Sequence, residues 1–318
     1  MILVAPDKFK GTFSAEEICR LVVDRLRKAG ITESICCRPL SDGGEGIASV
    51  LMPDALKIST GVYEKNGRRL VVSSEIVGFE AFENKNLPLM KRSSFRLGQA
   101  VEAGVPTIVA VGGTAISDGG AGFLQGLGAK FYNSQGNLIN DPLTPDTLKN
   151  VSSADLSALA RHQLEGIIDV RASLTEGELT ALDFAEQKAQ AGEDLSEFSQ
   201  ALAHFQEILG GSSPWDGAGG GLGYSLGSVC KVPCRSGAEY VIDSLDIDWA
   251  EVSLIITGEG CVDRQTSKGG KLVDALYQVG KKHNIPTLII YGRCEDPYLF
   301  PKMAQLNQPW EHTVQDFL

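Results

Sequence analysis

Short apolar runs, each followed by a loop rich in glycine or charged residues, constrain the fold of this chain most strongly. Such runs occupy 2–5, 35–38, 108–111, 253–257 and 287–291. Several lead into segments with helical spacing of apolar side chains, so the repeated unit is strand, loop, helix. Because these runs are mainly apolar and do not alternate between apolar and polar residues, they predict buried strands of parallel sheets. The sequence therefore predicts an α/β fold.

The most prominent of these loops runs from Gly112 to Gly122, between the apolar run 108–111 and a helical pattern that begins at Phe123. Glycines let a backbone approach a ligand closely, and a helix N-terminus offers N–H groups to an anion. Asp118 would repel a phosphate there unless a cation or a proton lay between, which suggests a Mg²⁺ ligand or a general base. The alternative is a tight turn in which Asp118 caps the helix.

Charged residues also follow the first two apolar runs. They are Asp7, Lys8, Lys10, Asp42 and Glu45. In open α/β sheets ligands bind outside the carboxyl ends of the strands, so all but Lys8 could share one cleft with Asp118. The alternative is that the lysines are solvated loop charges and that the two acidic residues of the second loop cap a helix.

Local signals predict several individual elements. Ser14 with Glu17 forms a capping box for a helix that ends near Gly30. Asn66-Gly67 is a strong two-residue hairpin turn. Apolar spacing predicts helices over 94–104 and 155–164.

A second glycine-dense loop, 217–223, has no register that gives G-x-G-x-x-G, which disfavours a dinucleotide site. The segment 223–227 matches G-x-S-x-G but follows a glycine loop where a hydrolase nucleophile needs a strand. The chain also lacks the phosphate-binding G-x-x-x-x-G-K-[ST] motif. Its four histidines lie outside the glycine loops, so a histidine base is not expected.

Composition bounds the function of the 318-residue chain. Its net charge of -11 argues against nucleic acid or an anionic membrane as the main partner, because both require a basic face. The seven cysteines are scattered, which favours reduced thiols, and Cys230 with Cys234 lacks a second pair for zinc. We find no signal peptide or membrane-spanning run, so the cytoplasm is the expected compartment.

Four segments taken together, 5–11, 39–46, 112–122 and 256–266, resemble the bacterial type-1 glycerate kinase family, and 217–223 resembles its glycine-rich segment. The resemblance spans residues 2 to about 292. It implies phosphorylation of D-glycerate by ATP with Mg²⁺, with the 2-hydroxyl favoured as acceptor. It also implies a Rossmann-like α/β domain from 1–60 and 245–318, an inserted α/β domain at 61–244, and an active-site cleft between them.

In-line phosphoryl transfer needs carboxylates for Mg²⁺, cations for phosphate and a group that orients the acceptor hydroxyl. With the resemblance, we assign Asp118 or Asp42 as base or metal ligand, Lys10 as the cation, and Glu259 and Asp263 as metal ligands. The expected substrate- and phosphate-binding residues are Asp7, Lys8, Glu45, Gly112, Gly113, Thr114, Ser117, Gly219, Gly220, Gly221, Gln265, Thr266 and Lys271.

The chain departs from the family pattern at several positions. An Asp-Val-x-Asn-Pro-Leu segment is replaced by residues 169–174, and Cys261 and Gly270 stand where the family usually has Arg and Lys. Asn is common where Ser117 sits. Because of these departures, a second hypothesis is that the protein is a non-catalytic relative that binds a hydroxy acid or sugar acid as a sensor. A third hypothesis, a nicotinamide-dependent oxidoreductase, is supported by the glycine loops alone. A homodimer is compatible with the sequence.

Overall fold

A computed structural model divides the chain into two compact units. The first joins both chain ends, Met1–Asp42 with Gly237–Leu318, and the second is Gly43–Ser236. The expected boundaries at 60/61 and 244/245 lie later in the chain than these. The described residues are 1–9, 11–41, 43–44, 46–83, 86–263, 266 and 271–315.

The elements are numbered along the chain. The strands are β1 (Ile2–Val4), β2 (Ile35–Cys37), β3 (Leu56–Ser59), β4 (Val62–Lys65), β5 (Arg68–Val72), β6 (Thr107–Val111), β7 (Lys130–Tyr132), β8 (Ser153–Asp155), β9 (Leu164–Ile168), β10 (Cys234–Ser236), β11 (Leu254–Val262), β12 (Thr287–Cys294) and β13 (Met303–Gln305). The helices are α1 (Ala15–Lys28), α2 (Ile47–Leu51), α3 (Ser73–Val77), α4 (Glu80–Glu83), α5 (Phe95–Gln99), α6 (Ala121–Gly126), α7 (Ala181–Lys188), α8 (Phe198–Leu209), α9 (Gly237–Asp243), α10 (Leu272–His283) and α11 (Glu311–Gln315).

The first unit is built on a parallel sheet with the strand order β13-β12-β11-β1-β2. Every residue of β1 is fully buried, as its unbroken apolar sequence predicts. The chain leaves β1 toward β2 and leaves β11 toward β12, on opposite sides. The carboxyl ends of β1 and β11 therefore form the switch point of this sheet, where open α/β sheets bind ligands.

Helix α1 confirms the predicted capping box. Ser14 N donates to Glu17 Oε2 at 2.7 Å, and Glu17 N donates to Ser14 Oγ at 3.2 Å. The apolar face of the helix, with Ile18, Val22 and Leu26, packs in one core cluster with β1 and β11. The local signal and the burial of this face agree, so the helix forms where the sequence predicts it.

The second unit contains a six-stranded mixed sheet with the order β10-β9-β6-β5-β4-β3. Strands β5, β6, β9 and β10 are parallel, while β3, β4 and β5 form an antiparallel meander. Asn66 and Gly67 both have positive φ between β4 and β5, which confirms the predicted hairpin turn. Strands β7 and β8 form a separate antiparallel pair.

Two predicted helices are wrong or too long. The segment 155–164 contains the end of β8, a short 3₁₀ helix at Ser157–Arg161 and the start of β9. Apolar residues three apart suit a 3₁₀ helix as well as an α-helix, and spacing cannot separate them over so short a stretch. The helix predicted over 94–104 is limited to α5. None of the helices in the described ranges is both long and apolar enough to cross a membrane.

Candidate functional site

Loops from three neighbouring strands meet at the carboxyl edge of the second unit's sheet, around Gly112 at the end of β6. Ser73, which follows β5, accepts from Gly112 N at 3.2 Å and donates to Gly112 O at 3.1 Å through its Oγ. A Cβ at Gly112 would lie 2.9 Å from Asp169 Oδ2 and 3.0 Å from Gly44 N. Gly113 has φ +63 and would meet Ser74 at 3.0 Å. The sequence needs glycine here because the three loops approach too closely for a side chain.

Asp169 brings a carboxylate to this edge. It directly follows β9, and its backbone N donates to Val111 O at 3.1 Å, which fixes it beside the end of β6. The residue is half-buried. Sequence reasoning did not select Asp169 as a site residue. The usable signal was its position immediately after a buried strand, the same signal that selected Asp7.

Lys188, the last residue of α7, brings a cation to the same loop. Its Nζ donates to Ile116 O at 2.9 Å and to Thr114 Oγ1 at 3.2 Å. Burial lowers the pKa of the Lys188 amine to about 8, against the opposing effect of the Asp169 and Asp118 carboxylates, while Arg92 lowers it further. Nothing in the sequence singled out Lys188, because a lysine in the last turn of a helix is common.

Asp118 is fully buried in the loop that precedes α6. It accepts from Ser94 N and Ser94 Oγ, both at 2.7 Å, from Gly120 N at 3.1 Å and from Gly122 N at 3.2 Å. Burial raises the pKa of the Asp118 carboxyl, and these hydrogen bonds oppose the rise. The N-cap of α6 is Gly120 and not Asp118, although the Asp118 carboxylate does accept from Gly122 N in the first turn of that helix. A role for Asp118 as base or metal ligand stays a prediction.

We expect Asp118→Ala to destabilise the fold by roughly 2–4 kcal/mol, because several buried donors would lose their acceptor. Asp183 is the matched control, since it also accepts from a backbone N–H and a hydroxyl, both of Thr180, but at an exposed helix start. Water can replace that carboxylate, so Asp183→Ala should cost about 1 kcal/mol. Urea unfolding of both variants measures the difference; equal losses would contradict a structural role for Asp118.

Two further predicted residues lie on the same loop. Thr114 is buried and holds the Lys188 amine through its hydroxyl. Ser117 is fully buried, and its Oγ has no hydrogen-bond partner among the described residues. The first loop therefore contributes backbone and hydroxyl groups, and the binding roles of these residues stay predictions.

The glycines of the second loop pack against the first. Gly119 N donates to Gly220 O at 3.0 Å, and a Cβ at Gly220 would lie 2.1 Å from Ile116 O. Gly221 has φ +96, and its Cβ would lie 2.3 Å from Gly119 Cα. This loop-to-loop contact explains why Gly220 and Gly221 must be glycine. Whether the backbone of Gly219–Gly221 also binds phosphate stays a prediction.

The remaining described candidates belong to the first unit. Asp7 follows β1, its N donates to Gly258 O at 2.9 Å, and its Oδ1 accepts from Lys8 N at 2.7 Å. Glu259 lies within β11, opposite Tyr291 of β12. Asp7 and Lys8 thus follow β1 and Glu259 lies within β11, the two strands that form the switch point of this sheet.

Asp263 and Thr266 form a local turn after β11. Asp263 Oδ1 accepts from Thr266 N at 3.1 Å, and Thr266 Oγ1 accepts from Asp263 N at 3.0 Å. Lys271 directly precedes α10. The predicted residues Lys10, Asp42, Glu45 and Gln265 lie outside the described residues.

With this geometry established, the comparison with known protein families decides the class. The family model described as "Glycerate kinase family" matches residues 2–308. The chain belongs to the glycerate kinase family. It is therefore a kinase, and the α/β fold with two domains agrees with that class.

Named relatives match over nearly the same length. The glycerate 2-kinase of Escherichia coli K12 is 27% identical over 93% of this chain and 86% of its own sequence. The glycerate kinase of Bacillus subtilis 168 is 28% identical over 92% of this chain and 84% of its own sequence. A crystal structure assigned as glycerate kinase 2 from Salmonella typhimurium LT2 has a TM-score of 0.72 at 26% identity, covering 96% of this chain and 89% of that one.

Among the described residues of this glycerate kinase family member, Asp169 is the carboxylate that could hold a metal ion at this edge of the sheet. Mg²⁺ in phosphoryl-transfer enzymes is held by one or two carboxylates together with substrate phosphates and waters. Asp169 offers such a carboxylate, and its Oδ2 lies 2.9 Å from where a Cβ at Gly112 would stand. Among the residues that the structure describes, no cluster of three or more His, Cys, Asp or Glu forms a closed metal site. Metal binding by Glu259 and Asp263 stays a prediction.

Proposed function

We propose that this protein transfers the γ-phosphate of ATP to D-glycerate and produces 2-phosphoglycerate and ADP. The observation that carries the proposal is the family match over residues 2–308, together with a relative named glycerate 2-kinase that aligns over most of both chains. In the reaction a glycerate hydroxyl oxygen bonds to the γ-phosphorus as the bond to the β–γ bridging oxygen breaks. The hydroxyl proton is released.

The carboxyl edge of the second unit supplies the groups that this reaction needs. Lys188, whose amine donates to Thr114 Oγ1, places positive charge beside the loop of Gly112 and Gly113, which we propose as the phosphate-binding loop. Asp169 would hold Mg²⁺, which when bound would neutralise charge on the β- and γ-phosphates. Preorganised charge of this kind stabilises the transition state more than the ground state.

We assign Asp118 by its surroundings and the other predicted residues by the resemblance to the family. Asp118 has four donors and no exposed surface, which supports a positioning role that holds the loop in shape. We propose Asp42 as the group that accepts or orients the hydroxyl proton and Lys10 as a second phosphate cation. Glu259, Asp263 and Asp7 remain proposed ligands of metal or substrate on the first unit.

Incubation with ATP, Mg²⁺ and D-glycerate, with L-glycerate in parallel, tests the function. We expect ADP formation that depends on D-glycerate, with ³¹P NMR giving 2-phosphoglycerate as the product. A 3-phosphoglycerate signal would contradict only the choice of the 2-hydroxyl as acceptor and would leave the kinase reaction supported. Absence of turnover by a folded protein would contradict the kinase reaction and favour a relative that only binds hydroxy acids.

A further inference from the structure

Arg171 is an exposed cation that is fixed in place by a buried aromatic ring. Its Cζ lies 5.0 Å from the centroid of the Trp215 ring. Trp215 is 8% exposed and belongs to the core cluster that also contains Ile168, the last residue of β9. A guanidinium on the face of a tryptophan loses less conformational freedom when it binds a ligand than one that moves freely in solvent.

The backbone around Arg171 is held as firmly as the ring. Ala172 N donates to Pro214 O at 3.1 Å, and Gly217 N donates to Ala172 O at 2.8 Å. A Cβ at Gly217 would lie 2.1 Å from Ser173 O, so the two segments are in direct backbone contact. Arg171 therefore stands at a defined position between the end of β9 and the second glycine loop.

This position is two residues beyond Asp169, at the edge where the proposed reaction takes place. We propose that Arg171 binds an anionic oxygen group of a bound substrate, either the carboxylate of glycerate or a phosphate of the nucleotide. A guanidinium donates two parallel hydrogen bonds to either group. The inference rests on the proposed function, in which both substrates are anions.

Arg171 and Lys188 differ in exposure. Lys188 is half-buried, and its amine donates to Ile116 O and Thr114 Oγ1. Arg171 is exposed to solvent and lies on the face of the Trp215 ring. In a protein of net charge -11, such a local cation lowers the repulsion that an anionic substrate meets at this edge.

The test compares Arg171→Met, which keeps an apolar stem over Trp215, with Arg171→Lys and with Arg161→Met. Arg161 is also exposed and lies in the same unit, just before β9, at the opposite edge of the sheet. We expect Arg171→Met to raise one KM about tenfold or more, Arg171→Lys to raise it less, and Arg161→Met to leave it unchanged.

If only the KM for D-glycerate rises, Arg171 binds the carboxylate of glycerate. If only the KM for ATP rises, Arg171 binds a phosphate of the nucleotide. KM values of Arg171→Met within about twofold of the unmodified protein would overturn the inference. A lowered Tm with unchanged KM values would also overturn it, because Arg171 would then only stabilise the fold by packing on Trp215.

If the unmodified protein does not phosphorylate D-glycerate, the proposed function fails, and thermal shifts with D-glycerate and with ATP test Arg171 separately. A shift that Arg171→Met loses and Arg161→Met keeps supports the inference. Equal shifts in the three proteins, or no shift in any of them, overturn it.

Discussion

Asp169→Asn is expected to lower kcat by about 10²- to 10³-fold while the protein stays folded. The amide keeps the shape of the carboxylate, and the hydrogen bond that fixes the residue to Val111 uses the backbone N, which the substitution leaves intact. What is lost is the negative charge beside Gly112. That charge is the one we assign to Mg²⁺ at this edge, so the loss should appear in the chemical step.

Asp155→Asn provides the control. Asp155 also ends a strand of the second unit, β8, and its Oδ1 accepts from Ser157 N at 3.0 Å. We expect this variant to retain normal turnover. Steady-state kinetics at several Mg²⁺ concentrations, with circular dichroism of each variant, give the comparison. Turnover of Asp169→Asn close to that of the control would remove Asp169 from the proposed site.

Lys188→Met is expected to lower kcat/KM by about 10²-fold, because the ammonium beside the first glycine loop would be lost.

The Lys188 amine also predicts how activity depends on pH. Since burial lowers the pKa of Lys188 to about 8, activity should fall as the pH rises through about 8 and the amine loses its charge. The charged groups that act on this amine are Asp169, Asp118 and Arg92.

Through Lys188, rising pH is expected to affect folding stability in the opposite direction to activity. The unfolded chain keeps the lysine proton up to its ordinary pKa of 10.5, whereas the folded protein releases it near 8. Between these values the unfolded state binds more protons, so folding stability from this group rises with pH while activity falls. The titration of Lys188 therefore does not itself destabilise the fold over the pH range in which we expect activity to fall.

The measurements are pH–rate profiles and urea unfolding below and above pH 8. Lys149→Met is the matched control, because Lys149 lies in the same unit and pairs with Glu197 on the surface. It should retain the alkaline decline in activity. If Lys188→Met also retained that decline, another group would be responsible and the assignment of the charge to Lys188 would fail.

Features that depend on a few neighbouring residues could be predicted from the sequence. The capping box of Ser14 and Glu17 and the hairpin turn at Asn66-Gly67 are confirmed because their partners lie within a few positions. The buried strands were recognisable because parallel strands are apolar on both faces. The loop at Gly112 was also recognisable, since glycine density directly after such a strand indicates a close backbone approach.

Features that depend on contacts between residues far apart in the chain could not be predicted from the sequence. Lys188 meets the oxygen of Ile116, 72 positions earlier in the chain, and only the packed fold brings them together. Asp169 is a candidate site residue because β9 lies beside β6 in the sheet. Local sequence patterns do not predict the order of strands in a sheet. Glycine density in 217–223 suited either a phosphate site or packing between loops, and the contact of Gly220 with Ile116 identifies packing as one cause.

The pairing of β1 with β11 has a consequence for how the chain folds during synthesis. Strand β1 pairs with the nearby β2, but its other partner, β11, begins only at Leu254, so that side of β1 stays unpaired until β11 has been made. Meanwhile the whole of Gly43–Ser236 has been made and can fold. We expect the second unit to act as a folded insert that shortens the search of the two chain ends for each other, with completion of the first sheet as the slow step.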